Sequence, residues 1–266
     1  MEEIIQFIDG YLTSFIHHRN QLRHYRSTIK TFRDELEDAI WIDVDLAENL
    51  NVPVKEEPQS LHWAQVTVHS GISKVNGIKM YHPFLSSDRD HDQQIVAVSI
   101  KKIIDCTKKE IEEDNQIPDV VVIESDNANQ YKYTEHFNEI QKICNQENRH
   151  IIRVYGIAQH RKGEVDHVGG ISKEVIRAAI AKGEVFEGVE EMAGYIQDKF
   201  KDKAHPKYNS LVVTEEELGE ARKQANKFIY MRIDGSRTIQ VAVFSPHSST
   251  IRIAPRLCIC HKCKES

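Results

Sequence analysis

Three short stretches carry aspartates in a setting suited to chemistry: IDVDLAEN (42–49), IESDNANQY (123–131) and HRKGEVDHVGG (160–170). In each, an Asp stands at or just beyond the end of an apolar run and is followed by small or amide residues. Open sheets gather their ligands at the carboxyl ends of the strands, so Asp45, Asp126 and Asp166 can be brought together from three separate segments. Carboxylates that converge in a cleft hold divalent cations, which activate a water and clamp the attacking and leaving oxygens of a phosphoryl transfer. Magnesium, or manganese in its place, suits such a cluster because it prefers oxygen ligands and completes its shell with water and substrate phosphate. A single Asp at a strand end is more often a turn former or a helix cap. The set of three is what points to a metal cluster.

The elements that must position these acids follow from periodicity. Strand alternation over 40–46 puts Asp43 and Asp45 on one face and Ile42, Val44 and Leu46 on the other. Further strands are expected over 61–68 and 77–85, joined by the turn-rich SGISKVNG, giving an antiparallel meander. Helical spacing of Val96, Ile100, Ile103, Ile104 and Ile111 predicts a helix over 90–111. The continuous apolar run VVVI before Asp126 reads as a strand buried on both faces. A helix over 133–144, a strand over 151–157, the Gly-rich loop carrying Asp166 and a helix over 172–181 complete a mixed α/β sheet with parallel crossovers in its second half. Gly169 and Gly170 disfavour a helix interior, so Asp166 is expected on a loop or a first helical turn.

On either side of this core, 39–201, lie two other segments. Residues 1–38 read as an amphipathic helical segment, one long helix or two broken near Asn20, with Leu22, Tyr25, Ile29, Phe32 and Leu36 on one face. Its bland assignment is a packed or self-pairing helix, hence an expected homodimer seam. Arg19, Arg23, Arg26, Lys30 and Arg33, with no acid between Gly10 and Arg33, offer a local basic face for a phosphate backbone. Residues 202–266 read as a small α+β tail: Thr214 and Glu217 form a capping box, 228–233 and 238–244 a hairpin, and 251–253 a third strand. The Cys-rich end, Cys258, Cys260, His261 and Cys263, carries zinc-ligand chemistry, although four ligands within six residues fit one tetrahedral ion poorly. His247 is a further candidate ligand.

The net charge of −6 argues against sequence-independent attraction to nucleic acid along the whole surface. The longest apolar runs fall far short of the roughly 20 residues that cross a bilayer, and the acidic start MEEIIQFIDG is unlike a secretory signal. An intracellular protein without a membrane span is the expectation.

The order of elements and the placing of the acids resemble the RNase H-like fold of DDE/DDD transposases and integrases. The segments are similar to those of transposon-derived proteins of animal genomes, which carry an acid in a DFAEN-like stretch, a second in an SDG- or SDN-like stretch, and a third in HGKG-x-x-D-x-x-GG-x-x-K. Carried over by position, DLAEN implies Asp45, SDNANQY implies Asp126 and HRKGEVDHVGGISK implies Asp166, with His160, Lys162, Gly163, Gly169, Gly170 and Lys173 matching around the last. Leu46, Asn127 and Arg161 depart from the pattern, and none of these changes removes a carboxylate. The likeness covers roughly 39–181. It implies two-metal phosphodiester hydrolysis and strand transfer on DNA, in the nucleus, in a core without its targeting domain. His160, Lys162, Gln130 and Lys173 are the implied DNA contacts, and Asn129 is another amide within reach. Asp43 is an alternative to Asp45 or a hydrogen-bonded partner of it, and Glu164 or Glu174 an alternative third acid. Two other functions stay open: a non-enzymatic nucleic-acid-binding or assembly protein that keeps the scaffold, and an RNase H-like nuclease.

Overall fold

The structure, a computed structural model, describes residues 20–21, 23–46, 49–53, 63–88, 90, 92–111, 117–156, 163–203, 206–225 and 238–254. Its centre is β1 (Ile40–Leu46), which lies between β3 (Trp63–Val75), antiparallel to it, and β5 (Val120–Ser125), parallel to it. Outward from β3 comes antiparallel β4 (Ile78–Ser86), and outward from β5 comes parallel β6 (His150–Tyr155). The order β4-β3-β1-β5-β6, three antiparallel strands and then two parallel ones, is the RNase H-like arrangement expected from the sequence.

The sheet continues at both edges. β9 (Val241–Phe244) pairs antiparallel with β6, and β10 (Arg252–Ala254) with β9. β7 (Lys207–Tyr208) and β8 (Leu211–Val212) run parallel to β4, while β2 (Leu50–Pro53) pairs with β3. The carboxyl-terminal segment therefore adds strands to both edges of the same sheet. The expected hairpin partner over 228–233 and the Cys-rich end lie outside the described residues.

Helices cover both faces. On one side α2 (Gln93–Ile111), α3 (Thr134–Glu147) and α6 (Glu215–Ala225) bury Ile95, Ile100, Ile103, Phe137, Ile140 and Leu218 against Ile40, Ile42, Val44, Val121 and Ile123. Each fully buried Ile contributes about 1.5–3 kcal/mol by leaving water. On the other side, α1 (23–35) lays Tyr25, Ile29 and Phe32 over Trp41, Val122 and Val154. Beside it, α4 (Glu164–Ala181) and α5 (Val189–Phe200) pack on Val66, Val68, Ile72, Tyr81 and Leu85. Over 25–36, the apolar face read as a dimer seam is thus covered by the chain's own sheet. The Thr214–Glu217 capping box forms as expected, with Thr214 N–H on Glu217 Oε2 at 2.9 Å and Glu217 N–H on Thr214 Oγ1 at 3.2 Å.

Two local expectations are corrected. SGISKVNG is not one long turn: β3 runs on to Val75, and only Asn76 (φ 49°) and Gly77 (φ 77°) turn the chain. Positive φ at both central residues is the geometry a two-residue hairpin requires, and Asn-Gly supplies it. The helix expected from 172 begins at Glu164 instead. Val165, Val168 and Ile176 are buried on one face of it, and that burial outweighs the cost of about 1 kcal/mol for each glycine inside a helix.

Candidate active site at the carboxyl ends of β1 and β5

Register places the first two acids near the ends of neighbouring strands. Asp43 pairs with Glu124 and Val44 with Ser125 across the parallel β1/β5 ladder, and Asp45 and Asp126 each follow the last of these pairs by one residue. Alternation puts Asp43 and Asp45 on the side of the sheet that α1 covers, together with Glu124. The two strand ends offer an exposed rim: Asp45 and Asp126 are both partly accessible, whereas Glu124 one step below is buried. Asp126 Oδ1 accepts the Ala128 N–H at 3.1 Å, which turns the chain into the short 3-10 turn at Asn129–Tyr131.

Beneath this rim lies a second pair of carboxylates joined by a cation from α1. Arg33 Nη2 donates to Asp43 Oδ1 at 2.9 Å and to Glu124 Oε2 at 2.7 Å, while Tyr25 Oη donates to Glu124 Oε1 at 2.9 Å. The guanidinium carbon lies 5.2 Å from the centre of the Trp41 ring, a favourable cation–π distance. Asp43 thus shares Arg33 with Glu124, and Asp45 is the last acid on β1. The alternation in VVVIES already puts Glu124 on one face of β5, a signal for this buried acid. Its pairing with Asp43 through Arg33 needs contacts across some 90 residues of chain, and nothing local announces it.

Asp166 stands apart from that pair. It is the third residue of α4, exposed, and its Oδ2 accepts the N–H of Gly163 at 2.7 Å, closing the first turn of the helix. Its neighbour Glu164 is held by Lys79 Nζ at 2.7 Å, by Lys74 Nζ at 3.7 Å and by the Tyr81 hydroxyl. Burial would raise the Glu164 carboxyl, but the hydrogen bonds from Lys79 and Tyr81 and the charges of the two lysines hold it below its ordinary value. Burial and the bond to Glu164 push the Tyr81 phenol well up. These contacts anchor the start of α4 near the β3–β4 turn, where Lys74 is level with Trp41, four residues before Asp45. Among the described residues no three His, Cys, Asp or Glu side chains converge closely enough to hold a metal ion.

Of the other sequence-derived candidates, Gln130 lies in the 3-10 turn after Asp126, and Lys173 and Glu174 lie on α4, with Glu174 exposed. His160, Lys162 and the four Cys/His candidates for zinc lie outside the described residues. His247, the further zinc candidate, takes a left-handed turn conformation (φ 56°) and donates its backbone N–H to Asn145 Oδ1 at 2.8 Å.

A cavity of about 10 Å³ behind Asp45, bordered by His69, Ser70, Ser99 and Tyr131, has room for one water and no substrate. A wider groove of about 320 Å³ runs between α2, α3 and α6, and none of the three candidate aspartates lines it. Its Lys101 and Lys102 are engaged with Glu147 at 2.9 Å and Glu217 at 2.7 Å, so it is a cross-linked seam between helices. No helix among the described residues is long and apolar enough to cross a membrane.

Residues 21–251 match the model of a family described as a domain of unknown function, DUF8701, and the chain belongs to that family. No curated protein matches it. Among solved structures it is similar to the Mos1 strand transfer complex, at 10% identity and a TM-score of 0.33 over 78% of this chain and 60% of that one. It is also similar to the AGO MID-PIWI domains of QDE-2 from N. crassa, at 9% identity and a TM-score of 0.29 over 75% and 57%. The chain thus spans about three fifths of the length of either structure. At such scores these likenesses add nothing to the strand order itself, on which the fold assignment stands.

Proposed function

We propose that this member of the DUF8701 family is a transposase-like, RNase H-like core that processes phosphodiesters in DNA, with Asp45 and Asp126 as its paired metal-binding carboxylates. What supports this reading is one observation: Asp45 and Asp126 each directly follow the last residue pair of the parallel β1/β5 ladder, and both are partly accessible. Two neighbouring carboxylates are the hard oxygen donors that magnesium or manganese takes, with water and substrate phosphate filling the other positions. Such an ion, when bound, supplies Lewis-acid polarisation of the scissile phosphate and a more acidic water. The chain's own part is to hold Asp45 and Asp126 in place, while Arg33 bridges Asp43 and Glu124 beneath them. Asp166 is the third carboxylate of this proposal, reaching the rim on DNA binding once its bond to Gly163 is given up. Chromosomal DNA as substrate makes the protein nuclear.

A non-enzymatic scaffold that binds nucleic acid is the second reading, and the capping of α4 by Asp166 favours it, because that bond gives this carboxylate a structural role. Nicking of supercoiled DNA in magnesium or manganese separates the two. Wild type should nick and Asp126→Asn should not, with DNA affinity unchanged between them. Equal behaviour of the two proteins removes the catalytic reading. Joining of cut ends into a second duplex then distinguishes a transposase from a simple nuclease.

A further inference from the structure

Directly under the end of β5 lies a buried charge that neither the proposed chemistry nor the core accounts for. Arg153 of β6 is 0% exposed, on the face of the sheet that α2 and α3 cover. Its Nη2 donates to Ser125 Oγ at 2.9 Å and its Nη1 to the Ile123 carbonyl at 3.4 Å. The guanidinium lies 5.1 Å from the centre of the Tyr155 ring and 5.6 Å from that of Tyr131. Its Nε is buried without a hydrogen-bond partner, and among the described residues no carboxylate lies within 4 Å of it. Arginine is almost never fully buried unless paired, because desolvating the charge costs several kcal/mol that a counter-ion normally offsets. Its presence also reaches its surroundings: burial, and then the charge of Arg153, keep His136 neutral. An apolar side chain of similar length would fill this space without such a cost.

What the guanidinium contributes instead is at the strand end. By donating to Ser125 Oγ it fixes that hydroxyl as an acceptor, and the hydroxyl's own proton goes to the Asp126 carbonyl at 3.1 Å. The Ser125 carbonyl in turn accepts Gly156 N–H at 2.8 Å, which ties the same residue to the end of β6. Asp126 therefore leaves the sheet in a direction set by a chain of hydrogen bonds that starts at Arg153. We propose that Arg153 is a positioning residue for Asp126, acting through the Ser125 hydroxyl to aim the Asp126 carboxylate at the cation shared with Asp45. The inference rests on the assignment of Asp45 and Asp126 as metal carboxylates. Groups that orient a metal ligand through a hydrogen bond are worth roughly 10- to 100-fold in affinity when removed.

The test uses the full chain and manganese alone, with binding read by electron paramagnetic resonance and folding by thermal unfolding. Ser125→Ala should weaken manganese binding by roughly tenfold, and Ser125→Thr, which keeps the hydroxyl, should restore it. Arg153→Met removes the buried charge and packs in its place, so its melting temperature should equal or exceed that of wild type while its manganese affinity falls by a similar factor. In the cation-free protein, amide exchange over 125–128 should be faster in both Ser125→Ala and Arg153→Met. Manganese affinity in a folded Arg153→Met or Ser125→Ala protein that equals wild type, while Asp126→Asn loses binding, overturns this inference alone. Absence of Asp126-dependent manganese binding in wild type overturns the metal assignment and this inference with it.

Discussion

Acid should weaken this fold through His82, and the size of the effect can be worked from its surroundings. His82 sits on β4, 0% exposed, with Nε2 2.8 Å from Ser73 Oγ on β3. Thr107 of α2 donates its hydroxyl to the same Ser73 oxygen at 2.8 Å, so Ser73 has its proton left to give to Nε2. The other ring nitrogen, Nδ1, is buried without a hydrogen-bond partner. Neither nitrogen has a place for an added proton, and burial pushes the imidazole down to about 3 from its ordinary 6.5. Between those two values the unfolded chain binds a proton that the folded chain refuses, so stability is complete above pH 6.5 and falls as the pH drops towards 3. At 1.36 kcal/mol per pKa unit, the full loss approaches about 5 kcal/mol, of which about 2 kcal/mol has gone by pH 5. His136, held low by burial and then by the charge of Arg153, adds a loss of the same sign. Urea unfolding followed by tryptophan fluorescence at several pH values between 7 and 4 measures the slope directly. His82→Gln should be less stable than wild type at pH 7 yet lose about 2 kcal/mol less between pH 7 and pH 5. If the two proteins lose stability in parallel, His82 is not the group that takes up the proton and the reasoning is refuted.

Three further outcomes are expected. Arg33→Leu leaves Asp43 and the buried Glu124 facing each other without their shared cation, and should cost about 2–3 kcal/mol, towards the low end for a buried pair because Arg33 is one third exposed; denaturant midpoints with Arg33→Lys as the charge-keeping control measure this. Gly71→Ala brings a Cβ to 2.5 Å from Ile103 Cδ1 and should lower stability by about 1–3 kcal/mol through overpacking between β3 and α2, while an unchanged melting temperature would mean that Ile103 moves aside freely. Asp166→Ala removes the acid that closes the first turn of α4 and should cost only about 0.5–1 kcal/mol, yet abolish metal-dependent nicking; retained nicking would leave it a helix cap and nothing more.

Much of the frame was legible in the chain itself. Alternation in IDVDL, the apolar VVVI run and the Thr214–Glu217 box each encode their element locally, because a strand's period of two and a helix cap depend on residues within a few positions. From these the order of strands and helices followed, and with it the RNase H-like arrangement that the pairing of β4, β3, β1, β5 and β6 displays. That Asp45 and Asp126 follow neighbouring strands was also within reach, since both stand at the ends of apolar runs that read as strands.

Tertiary structure decided the rest, for reasons of long-range pairing. That β3 runs through SGISK to Asn76-Gly77 follows from its partners β1 and β4, which extend a stretch whose own composition suits a turn. That α4 starts at Glu164 follows from the burial of Val165 and Val168 and from the anchoring of Glu164 by Lys79 and Tyr81. The pairing of Asp43 with Glu124 through a shared cation was decided by Arg33, brought from helix α1. Arg153, in a strand that reads simply as IIRVY, is buried between β5 and the rings of Tyr131 and Tyr155. Charge partners are chosen by which surfaces meet in space, and a one-dimensional pattern holds the periods of the elements but not the meeting of their faces.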